Sequence, residues 1–272
     1  MPEHPPLISV VIPTYGRPKH LRDCLLALSR QDYPVDRFEV IVVDDGSTPP
    51  VQSVLTEAAP CLNSRYLDQD NAGPAAARNR GASMARHPVL AFTDDDCLPE
   101  PGWLRNLARH FTSRTDRIVV GPTFNADPGN PYAEAGQRII DALYSWKTDP
   151  DGHVRFLTSN NLAIGKALFT TCHGFDTGFH RPAGEDRDLC NRLLEKGHQI
   201  IWDREAVVNH AGPQTMKTFL QKQFSYGQGA FWVRKNQAVR TDTAFAIGPA
   251  GLYRHLFLSS LRRPIRPNNA IY

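Results

Sequence analysis

The sequence predicts an α/β fold: a mainly parallel sheet with helices on both faces, extended by a helical C-terminal segment. Three observations lead there. Short apolar runs alternate with segments of helical period over the first hundred residues, the pattern that builds parallel sheets. Two acidic clusters, Asp44-Asp45-Gly46-Ser47 and Thr93-Asp94-Asp95-Asp96, each follow such a run, and open α/β sheets bind ligands at the carboxyl ends of their strands. Finally, 272 residues with 41% hydrophobic and 22% charged content suffice to bury a full core.

In chain order, residues 7–12 form a buried strand ending at Pro13-Thr14, and residues 19–30 a helix with Leu21, Leu25 and Leu28 on one face. A strand at 39–43, a helix through Val51, Val54 and Leu55, and a short strand near 65–67 follow. Gly73-Pro74 marks a helix entry, because proline is tolerated at the first helical position; the alanine-rich stretch 75–85 continues it. Residues 89–92 supply a fourth strand, with right-handed crossovers expected throughout. Beyond Asp96 come a helix from about Pro101, a strand at 117–120, a helix at 133–146 and a strand at 156–164. A helix at 185–196 is closed by Gly197, short strands lie at 199–202 and 206–208, and a mixed helix spans 216–235.

A net charge of +3 is too small to indicate a nucleic-acid partner. Five scattered cysteines without a CxxC pair fit reduced thiols rather than a disulfide framework or zinc site. The start of the chain lacks the features of a secretory signal, and no stretch has the apolar length of a membrane span. A cytoplasmic location is expected. The segment 244–261 reads as a tail helix packing on the domain or as a membrane-surface contact, with Arg262, Arg263 and Arg266 suited to an anionic lipid surface at the inner face.

Three adjacent aspartates repel one another unless a cation offsets their charge. A hard divalent ion shared with a phosphate is the economical partner, so the residues alone indicate metal-assisted chemistry on a nucleotide. Five strings extend this: Val10 to Tyr15, Val43 to Ser47, Asn71 to Asn79, Phe92 to Asp96 and Gly184 to Leu189. In that order, over roughly residues 7–212, they resemble the inverting glycosyltransferases of family 2, which have the Rossmann-like GT-A fold. The resemblance implies a nucleotide-sugar-binding half (1–97), an acceptor-binding half (98–212) and a C-terminal helical extension (213–272).

A strand-end carboxylate such as Asp45 can accept a hydrogen bond from the imide N–H of uracil or thymine; alone it reads equally as a turn acid before Gly46 and Ser47. The resemblance implies that Asp45 contacts the base, that Pro13, Thr14 and Tyr15 wall it, and that Arg17 belongs to the nucleotide contacts. Arg78, on the helix opened by Gly73-Pro74, can reach a diphosphate in forked geometry. The acidic triplet resembles the family's DxD signature: Asp96 is implied as ligand to Mn2+ or Mg2+, and Asp94 or Asp95 contacts the sugar or ribose. Acids in the first turn of a helix are favoured by the helix dipole alone. By resemblance, however, Asp186 is the general base on the acceptor hydroxyl and Glu185 positions acceptor hydroxyls. His210 resembles the histidine that completes the metal or diphosphate site, and imidazole beside carboxylates suits Mn2+ slightly better.

Thr158-Ser159-Asn160-Asn161 and Gly174-Phe175-Asp176 match family positions near the acceptor groove, while Trp103, Tyr144, Trp146 and Trp202 are core or sugar-stacking aromatics. Gln221 to Gly227 lacks the QxxRW signature of processive members, so transfer of one or a few sugars is expected. The implied partners are a nucleotide-sugar donor and a glycan, lipid-linked or small-molecule acceptor. A nucleotidyltransferase also pairs a nucleotide fold with metal-binding aspartates, but Thr14-Tyr15-Gly16-Arg17 is a poor substitute for a glycine- and lysine-rich phosphate loop. A catalytically inactive sugar-nucleotide-binding protein would have no use for Asp186.

Overall fold

A computed structural model describes residues 5–148, 153–179, 183–212, 215–245 and 250–260. Its centre is a seven-stranded sheet in the order β3-β2-β1-β4-β8-β6-β9. Strands β1 (Ile8–Thr14) and β2 (Phe38–Asp44) are buried along their whole length, as continuous apolar runs covered on both faces must be. They pair in parallel with each other, with β3 (Ser64–Asp68) on one side and with β4 (Val89–Phe92) on the other. Helix α1 (Pro18–Leu28) buries Leu21, Cys24, Leu25 and Leu28 on one side of the sheet with α2 (Ser53–Ala58). The opposite side takes α3 (Pro74–Met84), where a side chain at Gly81 would collide with Val11 of β1. The absent Cβ lets this helix lie close against the strands.

The remaining strands depart from a simple parallel order. Strand β8 (Leu162–Gly165) is inserted antiparallel between β4 and β6 (Ile118–Val120), and β9 (Ile200–Trp202) pairs in parallel with β6 at the edge. The long strand expected over 156–164 is therefore shorter; a 3-10 turn at Ser159–Asn161 precedes it. A second sheet, β5-β10-β7, was not expected. It joins β5 (Cys97–Pro99), β7 (Thr123–Asn125) and β10 (Val208–His210), each three residues long and too short for a periodicity signal.

Helices α4 (Trp103–Ala108) and α6 (Lys166–Thr171) are short. Helix α5 (Pro131–Lys147) starts at Asn130, whose side chain accepts hydrogen bonds from the backbone N–H of Tyr132 and Ala133. Helix α7 (Glu185–Glu195) begins after Gly184 at φ 111°, a conformation that favours glycine. Helix α8 (Met216–Thr241) opens on a Thr215/Thr218 capping box and packs on α7 and α5. In the tail, α9 (Ala250–Ser260) packs on α5, with Gly251 and His255 against Trp146. Arg262, Arg263 and Arg266 lie outside the described residues. All five cysteines are free, and no described helix is long and apolar enough to cross a membrane.

Candidate active site

A cavity of about 680 Å3 opens at the carboxyl ends of β1, β2 and β4, bounded on the far side by the start of α7 and by α8. Among the predicted residues, Pro13, Thr14, Tyr15, Arg17, Asp45, Arg78, Asp94, Asp96, Glu185, Asp186 and His210 line it. Strand ends deliver the first group because parallel strands all finish at the same edge of the sheet.

Asp44 and Asp45 divide their tasks. Asp44 accepts hydrogen bonds from the N–H of Ser47 and Val51 and from the Tyr66 hydroxyl. Burial alone would raise its pKa, but these donors hold it below the ordinary aspartate value. Asp45 faces the cavity and accepts from Gln69 and from the N–H of Ala72 and Gly73. The loop that opens α3 is thereby tied to the end of β2.

The acidic triplet is divided by orientation. Asp94 and Asp96 reach the cavity; Asp95 does not. Its fully buried carboxylate accepts from the Thr14 hydroxyl at 2.7 Å and from Arg17 Nε at 3.1 Å. Of the two alternatives for a sugar or ribose contact, only Asp94 therefore faces the space where a ligand would lie. Burial pushes Asp95 up to about 7, against the opposing pull of Arg17. Arg17 also pairs with Asp96 at 2.8 Å, so its guanidinium spans the second and third acids.

Pairing of β10 with β5 sets His210 opposite Cys97 and brings its Nε2 to 3.5 Å from Asp96 Oδ1. Burial would raise the Asp96 pKa, but His210, Arg17 and Lys222 around it hold the carboxyl below its usual value. His210 is itself lowered by burial, which favours the neutral imidazole that ligates metals. Asp96, Cys97 and His210 each present a ligand atom within 4.8 Å of one another. The Cys97 thiol is pushed well above its ordinary value by burial and the neighbouring acids, leaving carboxylate and imidazole as the donors. That set, beside a second cavity-facing carboxylate at Asp94, fits Mn2+ or Mg2+.

Arg78, expected to reach a diphosphate, lines the cavity and pairs there with two carboxylates. It is buried, with one guanidinium nitrogen 2.6 Å from Asp94 and another 3.0 Å from Glu185. It thus links the acids of β4 to those of α7. Its Nε and Glu185 Oε2 are buried without hydrogen-bond partners among the described residues. Glu185 lines the cavity as well, with one carboxylate oxygen turned to Arg78. Asp186, the next residue, accepts from the Arg187 N–H at 2.7 Å, and burial raises its pKa above the ordinary aspartate value.

Thr158, Ser159 and Asn160 line the cavity; Asn161 does not. Its fully buried amide accepts from the Trp103 indole and donates to the carbonyls of Pro122 and Ala206. Gly174-Phe175-Asp176 also lies away from the cavity. Asn79 makes two hydrogen bonds to the Phe175 backbone, and the Phe175 ring packs on Phe92 and Phe169 beneath Arg78. Tyr144 and Trp202 pack together, so none of the four aromatics singled out lines the cavity. The aromatic wall consists of Tyr15, Phe156 and Tyr226, with the Arg187 guanidinium 5.7 Å from the Phe156 ring and 5.9 Å from that of Tyr226. Sequence reasoning missed Lys222, which enters the cavity from α8. No local pattern marks it, because its place depends on how α8 packs on α7 and α5.

Residues 9–183 match the family model "Glycosyl transferase family 2". The validoxylamine A glucosyltransferase of Streptomyces hygroscopicus subsp. jinggangensis is 34% identical over 233 residues, covering 75% of this chain and 55% of that protein. The pre-mycofactocin glycosyltransferase of Mycobacterium tuberculosis is 31% identical, covering 82% and 46%. The chain spans about half the length of these curated relatives. A Pyrobaculum calidifontis mannosyltransferase in complex with GDP-mannose and Mn2+ shares the fold at a TM-score of 0.68 and 21% identity, covering 95% of this chain and 70% of its own. Staphylococcus aureus TarS in complex with UDP-GlcNAc superposes at 0.64 with 21% identity, covering 92% and 70%.

Proposed function

The chain belongs to glycosyl transferase family 2, and on that premise we propose that it is a metal-assisted, inverting sugar transferase. The donor is a nucleoside-diphosphate sugar, UDP- or dTDP-linked, and the acceptor a hydroxyl of a glycan, a lipid-linked sugar or a small molecule. One observation carries the reading: Asp45, Asp94 and Asp96 from the strand ends share a single cavity with Asp186 from α7. Carboxylates in separate cavities could not flank one hexose ring. The complex of the P. calidifontis mannosyltransferase with GDP-mannose and Mn2+ supports this reading.

In this reading Asp45 reads the imide edge of the base, Tyr15 lies along the base, and Asp94 takes the sugar or ribose hydroxyls. Asp96 and His210 would hold Mn2+ or Mg2+, which when bound supplies Lewis-acid stabilisation of the departing diphosphate. Asp186 accepts the proton of the acceptor hydroxyl as that oxygen attacks the anomeric carbon opposite the leaving group, which inverts the centre. Arg78 holds Asp94 and Glu185 in place, so that Asp186 stands at a set position across the cavity. The first 97 residues serve the donor, residues 98–212 the acceptor, and the extension closes the cavity through α8. The protein acts in the cytoplasm, at or near the inner face of the membrane.

The test is an incubation of purified protein with Mn2+ and a panel of nucleotide sugars. Release of nucleoside diphosphate is expected; release of pyrophosphate would identify a nucleotidyltransferase instead. Asp186→Asn is expected to lower turnover by about 10^2-fold or more and leave nucleotide affinity unchanged. A large loss of affinity in that variant contradicts its role as base.

A further inference from the structure

Helix α8 has two faces of opposite character. Its inner face carries the buried Gly229 and Val233, places Lys222 and Tyr226 in the cavity, and pairs Arg240 with Asp188 and Glu195 of α7. On the outer face, Met216, Leu220 and Phe224 follow one another at spacings of four, and Phe231 continues the line two turns later. These side chains are 54%, 57%, 64% and 48% exposed. The Phe231 ring meets Trp232 and Phe245 at 5.7 and 5.3 Å, extending the apolar stripe toward α9. Exposed Lys217 and Lys235 flank the stripe, the latter with its ammonium 4.8 Å from the Trp232 ring.

Charge is just as unevenly placed. Residues 215–272 hold nine Lys and Arg but one acid, Asp242, so the net +3 of the chain combines +8 at this end with −5 over the first 214 residues. Helix α8 has no Asp or Glu in 26 residues.

We propose that the outer face of α8 docks on an anionic membrane surface, laying Leu220, Phe224 and Phe231 into the interface while Lys217 and Lys235 meet the lipid head groups. An aromatic and aliphatic stripe edged by lysines is the composition of an interfacial helix, and the basic end supplies long-range attraction to acidic lipid. A second copy of the chain would oppose two equally basic ends. A nucleic acid would use the lysines and leave the apolar stripe in water. Because the inner face of the same helix lines the cavity, the lipid surface would lie about one helix diameter, ~10 Å, from it. On the transferase reading above, that places a lipid-borne acceptor within reach; the docking itself is independent of that reading.

The experiment is flotation of the purified chain with phosphatidylcholine vesicles and with vesicles that also contain phosphatidylglycerol. Binding to the acidic vesicles alone, weakening as salt is raised, is expected. A Phe224→Ser, Phe231→Ser double variant should lower the bound fraction about tenfold, and Lys217→Glu, Lys235→Glu should abolish the preference for acidic lipid. Both should melt at the temperature of the unaltered protein. Failure to float with acidic vesicles, or flotation untouched by either double variant, overturns the proposal. So does a dimer in sedimentation that the Phe variant dissociates without any flotation, or retention of duplex DNA in its place.

Discussion

Asp186 and Glu185 are neighbours in one helical turn, yet their surroundings assign them different work. Both line the cavity, but Glu185 pairs with the Arg78 guanidinium at 3.0 Å, whereas Asp186 accepts a hydrogen bond from the N–H that follows it. Burial raises both, and their mutual repulsion adds to the rise of Glu185. A base works only when ionised. If Asp186 is that base, kcat/KM falls as pH drops through its raised pKa, so the acidic limb of the rate profile lies above the ordinary aspartate value of about 3.9. A pH–rate profile from acid to neutral checks this; a limb at the ordinary value would contradict the environment described here. The limb belongs to the coupled pair rather than to one residue, so it should shift in Glu185→Gln as well. Aspartates 94 to 96 teach the same lesson. Identical side chains in sequence separate into a cavity-facing partner of Arg78, a buried anchor for Thr14 and Arg17, and a partner of His210.

Among the elements, the short segment from Thr158 to Gly165 changes role within one turn. Its first three residues line the cavity, Asn161 points into the protein, and β8 then enters the sheet antiparallel. Asn161 pins this switch by serving the Trp103 indole and two carbonyls in full burial. Asn161→Leu leaves those groups without partners and is expected to remove about 3 kcal/mol or more of stability. The reading is a lower urea midpoint with unchanged slope. Asn160→Leu provides the contrast: Asn160 lines the cavity and its Oδ1 has no partner among the described residues. Its substitution should spare the urea midpoint and weaken substrate binding. Strands β1, β2 and β4 were legible because each is a mainly apolar run with a turn signal after it, whereas β3 offers only Tyr66 and Leu67. Strand β8 was legible as a strand but not in direction, because antiparallel insertion depends on which edge remains open once β1 to β4 have paired. The three-residue strands of the second sheet carry no period at all.

For the whole molecule, residues distant in sequence are brought to one cavity, and ligand binding should couple to global stability there. On the proposed reading, Mn2+ with UDP at about a hundred times its dissociation constant is expected to stabilise the fold by about 2.7 kcal/mol, a rise of several degrees in melting temperature for a chain of this size. Asp96→Ala is expected to lose the part of this rise that needs the metal and to retain the part given by UDP alone. A thermal-shift titration measures it, and equal shifts in both proteins would remove Asp96 from the set of ligands.

The sequence by itself determined the class of fold, the order of its first strands and helices, and the two acidic clusters at strand ends, since all of these follow from local period and residue type. It also carried the five strings that resemble the family, and with them the expectation of metal and nucleotide. Tertiary structure decided which acids face the cavity, that Arg78 joins Asp94 to Glu185, and that β5 and β10 set His210 against Asp96. It alone placed Lys222 and Tyr226 in the cavity wall. The physical reason is range: the direction of a side chain and its charged neighbours come from contacts between elements far apart in the chain, and no local pattern of residues encodes them.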